Sequence, residues 1–257
     1  MKNNNKFRLD VWGAITLGTI ALYALFLLYP MAYLIRQSVL DPDTGGFTLA
    51  YFTKFFSKSY YFDTLINSFK VSITATVLSI AIGTPLAYLF TIFKIKGKSV
   101  LNILIVVASM SAPFIGAYSW ILLLGRSGVI TAFFKNLGIA IPDIYGFGGI
   151  VLVMTLQLFP LVFLYAKGAL KNIDNSLIEA AENLGCSGIA CFFKVVVPLI
   201  MPTLLAAALL VFMRSFADFG TPMLIGEGYR TFPVVLYTEF INEVGSSPLE
   251  SLRSVYA

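Results

Sequence analysis

Residues 71–93 read VSITATVLSIAIGTPLAYLFTIF, an uncharged run held between Lys70 and Lys94. A helix rising 1.5 Å per residue crosses a bilayer core of about 30 Å in roughly 20 residues, so this run is long enough to span a membrane. Four more runs repeat the pattern. Residues 11–35 lie between Asp10 and Arg36, 99–125 between Lys98 and Arg126, 144–166 between Asp143 and Lys167, and 195–213 between Lys194 and Arg214. The expected fold is therefore all-α, a polytopic transmembrane bundle with spans at about 11–35, 70–93, 100–124, 144–166 and 195–213. The first run exceeds the roughly 7–15 residues of a signal-peptide core, and no small-x-small cleavage site follows it, so it is expected to stay in the mature protein.

Composition agrees. Of 257 residues 58% are hydrophobic and 12% charged, with a mean hydropathy of +0.85. A soluble domain carries about 25% charged residues to cover its surface. The absence of histidine excludes histidine metal sites, Ser/His/Asp triads and HExxH zincins. Cys186 and Cys191 are five apart, which fits neither a CxxC pair nor a disulfide framework. No catalytic residue, metal site or cofactor is expected.

Basic residues set the expected orientation. With the N-terminus inside, the inner segments carry Lys2, Lys6, Arg8, Lys94, Lys96, Lys98, Lys167, Lys171 and Lys194. The outer segments carry as many, spread over more than twice the length, so density favours an inside N-terminus. The net charge of +5 is then a matter of membrane topology. These scattered residues make no basic face interleaved with aromatics, and nucleic acid is not an expected partner.

No ionisable residue falls within the five runs, whereas ion-coupled carriers keep such groups at membrane depth. Energy for uphill transport would have to enter from outside the bilayer, through a loop and a partner. The chain brings no nucleotide site of its own. Gly97-Lys98-Ser99 resembles the end of a P-loop, but Ile92 stands where its first glycine is required.

Small residues mark two stripes. Ser72, Thr76, Ser79, Gly83 and Ala87 recur at helical spacing on the second span, and Ala108, Ala112 and Gly116 on the third. Such faces let helices approach closely where lipid gives them no hydrophobic reason to associate, and they could equally line a pathway. Pro85, Pro113, Pro160 and Pro202 fall within or near the spans as candidate kinks. Residues 36–66 suggest an external hairpin or interfacial helix, with Asp41-Pro42-Asp43-Thr44-Gly45-Gly46 as a turn. Residues 126–143 hold a short apolar helix closed by Pro142.

The inner stretch 167–198, KGALKNIDNSLIEAAENLGCSGIACFFKVVVP, is different in kind. Ser176 with Glu179 makes a capping box starting a helix at Leu177. Gly185 ends that helix, and Ser187 can cap a second one running into the fifth span. Ala180 and Ala181 would let another protein approach the backbone, and Glu179 and Glu182 would supply anionic contacts. The same stretch could also be an ordinary connector.

Glu179-Ala180-Ala181, three residues, Gly185, nine residues, then Val195-x-Val197-Pro198 resembles the EAA loop of membrane subunits of binding-protein-dependent ABC importers, with Val in the places of Ile and Leu. Asn67-Ser68-Phe69, leading to Gly83-Thr84-Pro85-Leu86-Ala87-Tyr88, is similar to that family's first core helix. The resemblance covers residues 60–225. It implies a type I importer permease in the inner membrane of a prokaryote, itself no enzyme. Its implied partners are a cytoplasmic ATPase docking on Glu179, Ala180, Ala181, Glu182, Gly185 and Pro198, a second permease half or subunit, and an external solute-binding protein. Arg214-Ser215-Phe216-Ala217-Asp218-Phe219-Gly220-Thr221-Pro222 resembles the ferric-iron branch, whose relatives import polyamines, thiamine, sulfate or phosphonates. Arg214 and Asp218, four apart, could pair with each other or meet the binding protein.

The chain departs from the family pattern after Arg230, where no uncharged run reaches 15 residues, so the sixth core span is missing. One EAA loop is present and no internal repeat, and the chain is expected to be an N-terminal part of a longer permease. Two alternatives compete with the importer reading. A secondary carrier or channel would need a buried charge or half-helix site, and an assembly factor would tolerate changes in the loop.

Overall fold

The computed structural model describes residues 11–41, 45–93, 96–110, 112–139 and 142–244. Residues 1–10, expected as an inner segment, residues 42–44 of the expected turn, and Lys94 lie outside that set. The fold is nearly all-helical, with no strand among the described residues. The described residues form eleven helices, α1 (Val11–Val39), α2 (Ala50–Ser57), α3 (Ser59–Ile92), α4 (Lys98–Ser109), α5 (Pro113–Leu124), α6 (Val129–Asn136), α7 (Phe147–Lys171), α8 (Asn175–Asn183), α9 (Gly188–Phe216), α10 (Gly220–Ile225) and α11 (Phe232–Val244). Five stretches are long and apolar enough to cross a membrane: α1, α3, Phe114–Asn136, α7 and α9.

Two compact units divide the chain, Asp63–Tyr237 and the segments on either side of it. In the flanking unit, α1 is apolar all round and buries none of its residues against protein. Lipid is the environment such a helix requires. Leu40 bridges Phe47 in a short antiparallel turn, which is followed by α2, so the stretch expected to be hairpin or helix contains both.

The unit Asp63–Tyr237 is built on α7 and α9, which pack along each other. Helices α4, α5 and α10 lie against α7, and α10 also packs on α5. Ile150, Val153, Met154, Val162 and Phe163 of α7 are fully buried, as are Val196, Ile200 and Val211 of α9. All five residues of the predicted α3 stripe, Ser72, Thr76, Ser79, Gly83 and Ala87, are buried. A Cβ added at Gly83 would lie 2.9 Å from both the Phe159 carbonyl oxygen and Val162 Cβ on α7. Absence of a side chain at that point brings the two backbones together.

The third span needs correction. The single helix expected over 99–125 is two, because α4 ends at Ser109 and α5 begins at Pro113. Pro113 disfavours the helical region for the residue before it, and Ala112 is extended at ψ 142°. Proline is well suited to the first turn of a new helix, so Pro113 starts α5 instead of kinking a longer one. The predicted stripe Ala108, Ala112, Gly116 therefore forms no continuous face, and Ala108 and Ala112 are exposed.

Prolines also mark two wide turns. The π-helical turns Ala24–Leu28 and Phe192–Val196 come just before Pro30 and Pro198. A proline ring would clash with the carbonyl four residues back. In these turns Tyr29 N–H donates to Ala24 C=O and Val197 N–H to Phe192 C=O, so the ladder widens by one residue ahead of each proline.

Gly83→Val should separate α3 from α7 and cost about 1–3 kcal/mol, the range for overpacking a tight contact. Ile82→Ala, at an exposed neighbour, should leave stability nearly unchanged. Thermal unfolding of both variants in detergent tests the pair; equal losses would mean that Gly83 does not set the helix separation.

Candidate functional site

The stretch linking α7 to α9 has its shape dictated by its caps. Asp174 precedes α8, and its Oδ1 accepts a 3.0 Å hydrogen bond from Ser176 N–H. Bonds from the backbone and side chain of Ser176 hold the Asp174 carboxyl below its ordinary pKa. The cap is thus kept at neutral pH and released as the pH falls through that lowered value. The expected start at Leu177 is corrected: α8 begins at Asn175, because a carboxylate at 174 satisfies the second helical N–H before the Ser176 hydroxyl is needed as a cap.

Gly185 ends α8 as expected. Its φ is +84°, and the next N–H, from Cys186, donates to Ala181 C=O at 3.0 Å. This six-to-one bond is a Schellman closure. An added Cβ would meet nothing within 4 Å, so the glycine is required by its backbone conformation and not by crowding. Ser187 occupies the cap position of α9, although its hydroxyl makes no capping bond.

Ile173 and Ile178 pack against the main core and seat α8 on the bundle. Glu179 and Ala180 are exposed and Ala181 is half-buried, while the side chain of Glu182 lies outside the described set. Pro198 is exposed behind the π-helical turn. Beside these residues Leu184 is 89% and Ile189 78% exposed, an apolar tip that sequence reading missed. Both leucine and isoleucine read as core residues by type; the αL turn at Gly185 is what turns this segment outward.

Between the middle of α7 and the C-terminal end of α9 lies a cavity of about 480 Å³, lined in part by Ser109, Gln157, Arg214, Asp218 and Phe219. The expected Arg214–Asp218 pair does not form. Asp218 is instead drawn to the start of α10, accepting from Gly220 N–H at 2.9 Å, Thr221 N–H at 3.4 Å and Thr221 Oγ1 at 2.7 Å. Arg214 makes no ion pair among the described residues. It also lies deeper than expected, since α9 continues to Phe216 and Ser215 Oγ donates to Met154 Sδ at 3.1 Å. Met154 is seven residues into α7, or roughly 10 Å at the helical rise.

Two long-range ties complete this end. Asn67 Nδ2 donates to Arg230 C=O at 3.1 Å, and Phe232 N–H donates to Ser68 Oγ at 2.8 Å, so the Asn-Ser pair of α3 holds the start of α11. Arg126 bonds Asp143 at 3.0 Å and Glu227 at 2.9 Å and stacks 4.7 Å from the Tyr145 ring. One guanidinium thereby gathers three loops. Its partners are 17 and 101 residues away, beyond any local sequence signal.

The chain belongs to the binding-protein-dependent transport system inner membrane component family, whose model matches residues 45–247. It is 28% identical over 220 residues to the putative ferric transport system permease protein FbpB 1 of Haemophilus influenzae, covering 85% of this chain and 34% of that one. The ferric transport system permease protein FbpB of Actinobacillus pleuropneumoniae is likewise 28% identical and covered over 34% of its length. The chain thus spans about a third of these relatives. The spermidine/putrescine permease protein PotB of Haemophilus influenzae is 28% identical, with 93% of this chain and 85% of that one aligned. In fold the chain is similar to a bacterial alginate ABC transporter crystallised with its alginate-pentasaccharide-bound periplasmic protein, with a TM-score of 0.74 at 17% identity over 96% of this chain and 85% of that one.

At Gly185 the two roles of glycine separate cleanly. Gly185→Asn, which tolerates the left-handed region, should preserve the turn, whereas Gly185→Val should lose about 1–2 kcal/mol of local stability. Hydrogen exchange of the α8 amides distinguishes them; equal protection in both variants would refute the backbone argument.

Proposed function

We propose that this chain is a membrane-spanning permease subunit of an ATP-driven importer, coupled to a separate cytoplasmic ATPase through α8. The carrying observation is the exposed surface of the α7–α9 connector. Glu179 and Ala180 stand out from a helix anchored by Ile173 and Ile178, beside an apolar tip at Leu184 and Ile189. Large exposed apolar groups rimmed by polar ones mark a protein contact. A connector held at both ends by long buried helices can pass a push from such a partner into α7 and α9. The N-terminus is placed inside, which puts this connector on the ATPase side.

Ferric iron is the proposed solute, supported by the two ferric relatives and delivered by an external binding protein, with a second permease half completing the pathway. PotB favours a polyamine as the second reading, since much more of its length aligns. Arg214 and Asp218 line the 480 Å³ cavity, and we assign them to the solute's route instead of to the external contact that sequence offered as one of two readings. The buried α3 stripe is assigned to helix packing.

A tagged chain purified from gently solubilised membranes should bring down an ATPase with a complete P-loop. Gly185→Asp and Leu184→Asp should each reduce that recovery severalfold. Recovery of no ATPase by the parent would overturn the coupling assignment. Uptake of labelled iron and labelled putrescine by cells carrying the complete system separates the solutes, and putrescine uptake alone would replace iron.

A further inference from the structure

The three lysines Lys98, Lys167 and Lys171 surround a second cavity, of about 360 Å³, together with Thr91, Ser99 and Asn102. It lies where α3 ends, α4 begins and α7 ends, and shares no lining residue with the Arg214 cavity. No carboxylate lines it, and none of the three lysines makes an ion pair among the described residues. Lys98 and Lys171 act on Lys167 as like charges. Lys167 also has other company, as Nζ donates to Asn102 Oδ1 and sits 5.4 Å from the Phe163 ring centre. With its oxygen occupied, Asn102 has its amide N–H groups left to offer. The α4 N-terminus adds to this. Its cap is Gly97, which provides no side-chain acceptor, and Lys98 and Ser99 are its first residues. Free N–H groups at a helix start favour a negative charge.

Three cations and an uncapped helix start repel one another until an anion enters. We propose that this cavity binds the phosphate of an anionic phospholipid headgroup. The position of the cavity, at the ends of the membrane-length helices α3 and α7, favours a lipid over a soluble phosphate. Val100, Ile103, Leu104 and Val107 are all exposed on α4, and at that spacing they form one apolar stripe on the side of the helix away from the cavity-lining Lys98 and Asn102. A lipid places its phosphate among the lysines and leaves its acyl chains in the surrounding bilayer. Basic pockets between membrane helices hold anionic headgroups in this manner. The site stands whichever way the chain is oriented and whatever solute it moves. It also gives Gly97-Lys98-Ser99 a role: a phosphate is bound at a helix start, but it belongs to a lipid and not to a nucleotide.

The test is native mass spectrometry of the whole chain after exchange into phosphatidylglycerol or phosphatidylcholine. The parent should retain phosphatidylglycerol preferentially, and Lys167→Gln/Lys171→Gln should weaken it by roughly thirtyfold, the effect of two lost lysine contacts. Lys167→Arg/Lys171→Arg should retain it, as should Lys135→Gln on α6. If the glutamine pair does not fold, Lys98→Gln on the other wall should still weaken retention. Equal retention by parent and glutamine variants would overturn the proposal. So would displacement of the lipid by millimolar inorganic phosphate, which would make this a soluble-phosphate site.

Discussion

Hydrocarbon offers no hydrogen-bond partner, so each backbone N–H and C=O within it must be satisfied by the helix that carries it or by a neighbour. Most of the chain's local features answer that constraint. Pro30 and Pro198 would each break the ladder, and the π-helical turns before them carry it past the ring. Pro113 ends one helix and begins the next instead. Outside the bilayer the same bookkeeping is done by side chains. Asp174 takes up an N–H at the start of α8 and Ser68 one at the start of α11, while the turn at Gly185 closes the end of α8 with a backbone bond.

Satisfied helices still need a reason to associate, and lipid provides none. Gly83 on α3 lets that helix meet α7 at backbone distance, and α7 packs in turn along α9. This pairing matters for function because α8 is tied to the last residue of α7 and the first of α9 by short turns. A displacement of α8 is therefore carried into two buried helices. Ahead of α7 the Arg126 contacts with Asp143 and Glu227 gather three loops, but these groups are exposed and water weakens their attraction.

Sequence made the broad outline legible because charge is excluded from the bilayer and clusters at its edges. Four of the five spans follow from that rule, although α3 begins at Ser59 and α9 at Gly188, well before the expected 70 and 195; α9 also extends past Met213 to Phe216 because one arginine near a helix end does not stop a helix. The third span was misread because charge exclusion is blind to a break made by Pro113 between two apolar segments. The α8 connector was visible in its glycine spacing, since φ +84° at Gly185 requires a residue type that sequence displays directly. Its exact start was not, as Asp174 and Ser176 are both good caps and coordinates are needed to choose. Spacing alone allowed Arg214 to pair with Asp218 or to meet a binding protein, yet the α10 amides compete for that carboxylate and win. The lysine cavity was hidden for another reason: Lys98 and Lys167 are adjacent in space and far apart in sequence.

The central claim is that α8 faces the cytoplasm and is covered by an ATPase. Its most direct test is thiol accessibility at Ala180→Cys, in a background with Cys186→Ser and Cys191→Ala, using a membrane-impermeant maleimide. Labelling is expected in inverted vesicles stripped of peripheral proteins, strongly reduced once the cognate ATPase is bound, and absent from intact right-side-out membranes. Labelling from the outer side, or labelling indifferent to the ATPase, would contradict the account.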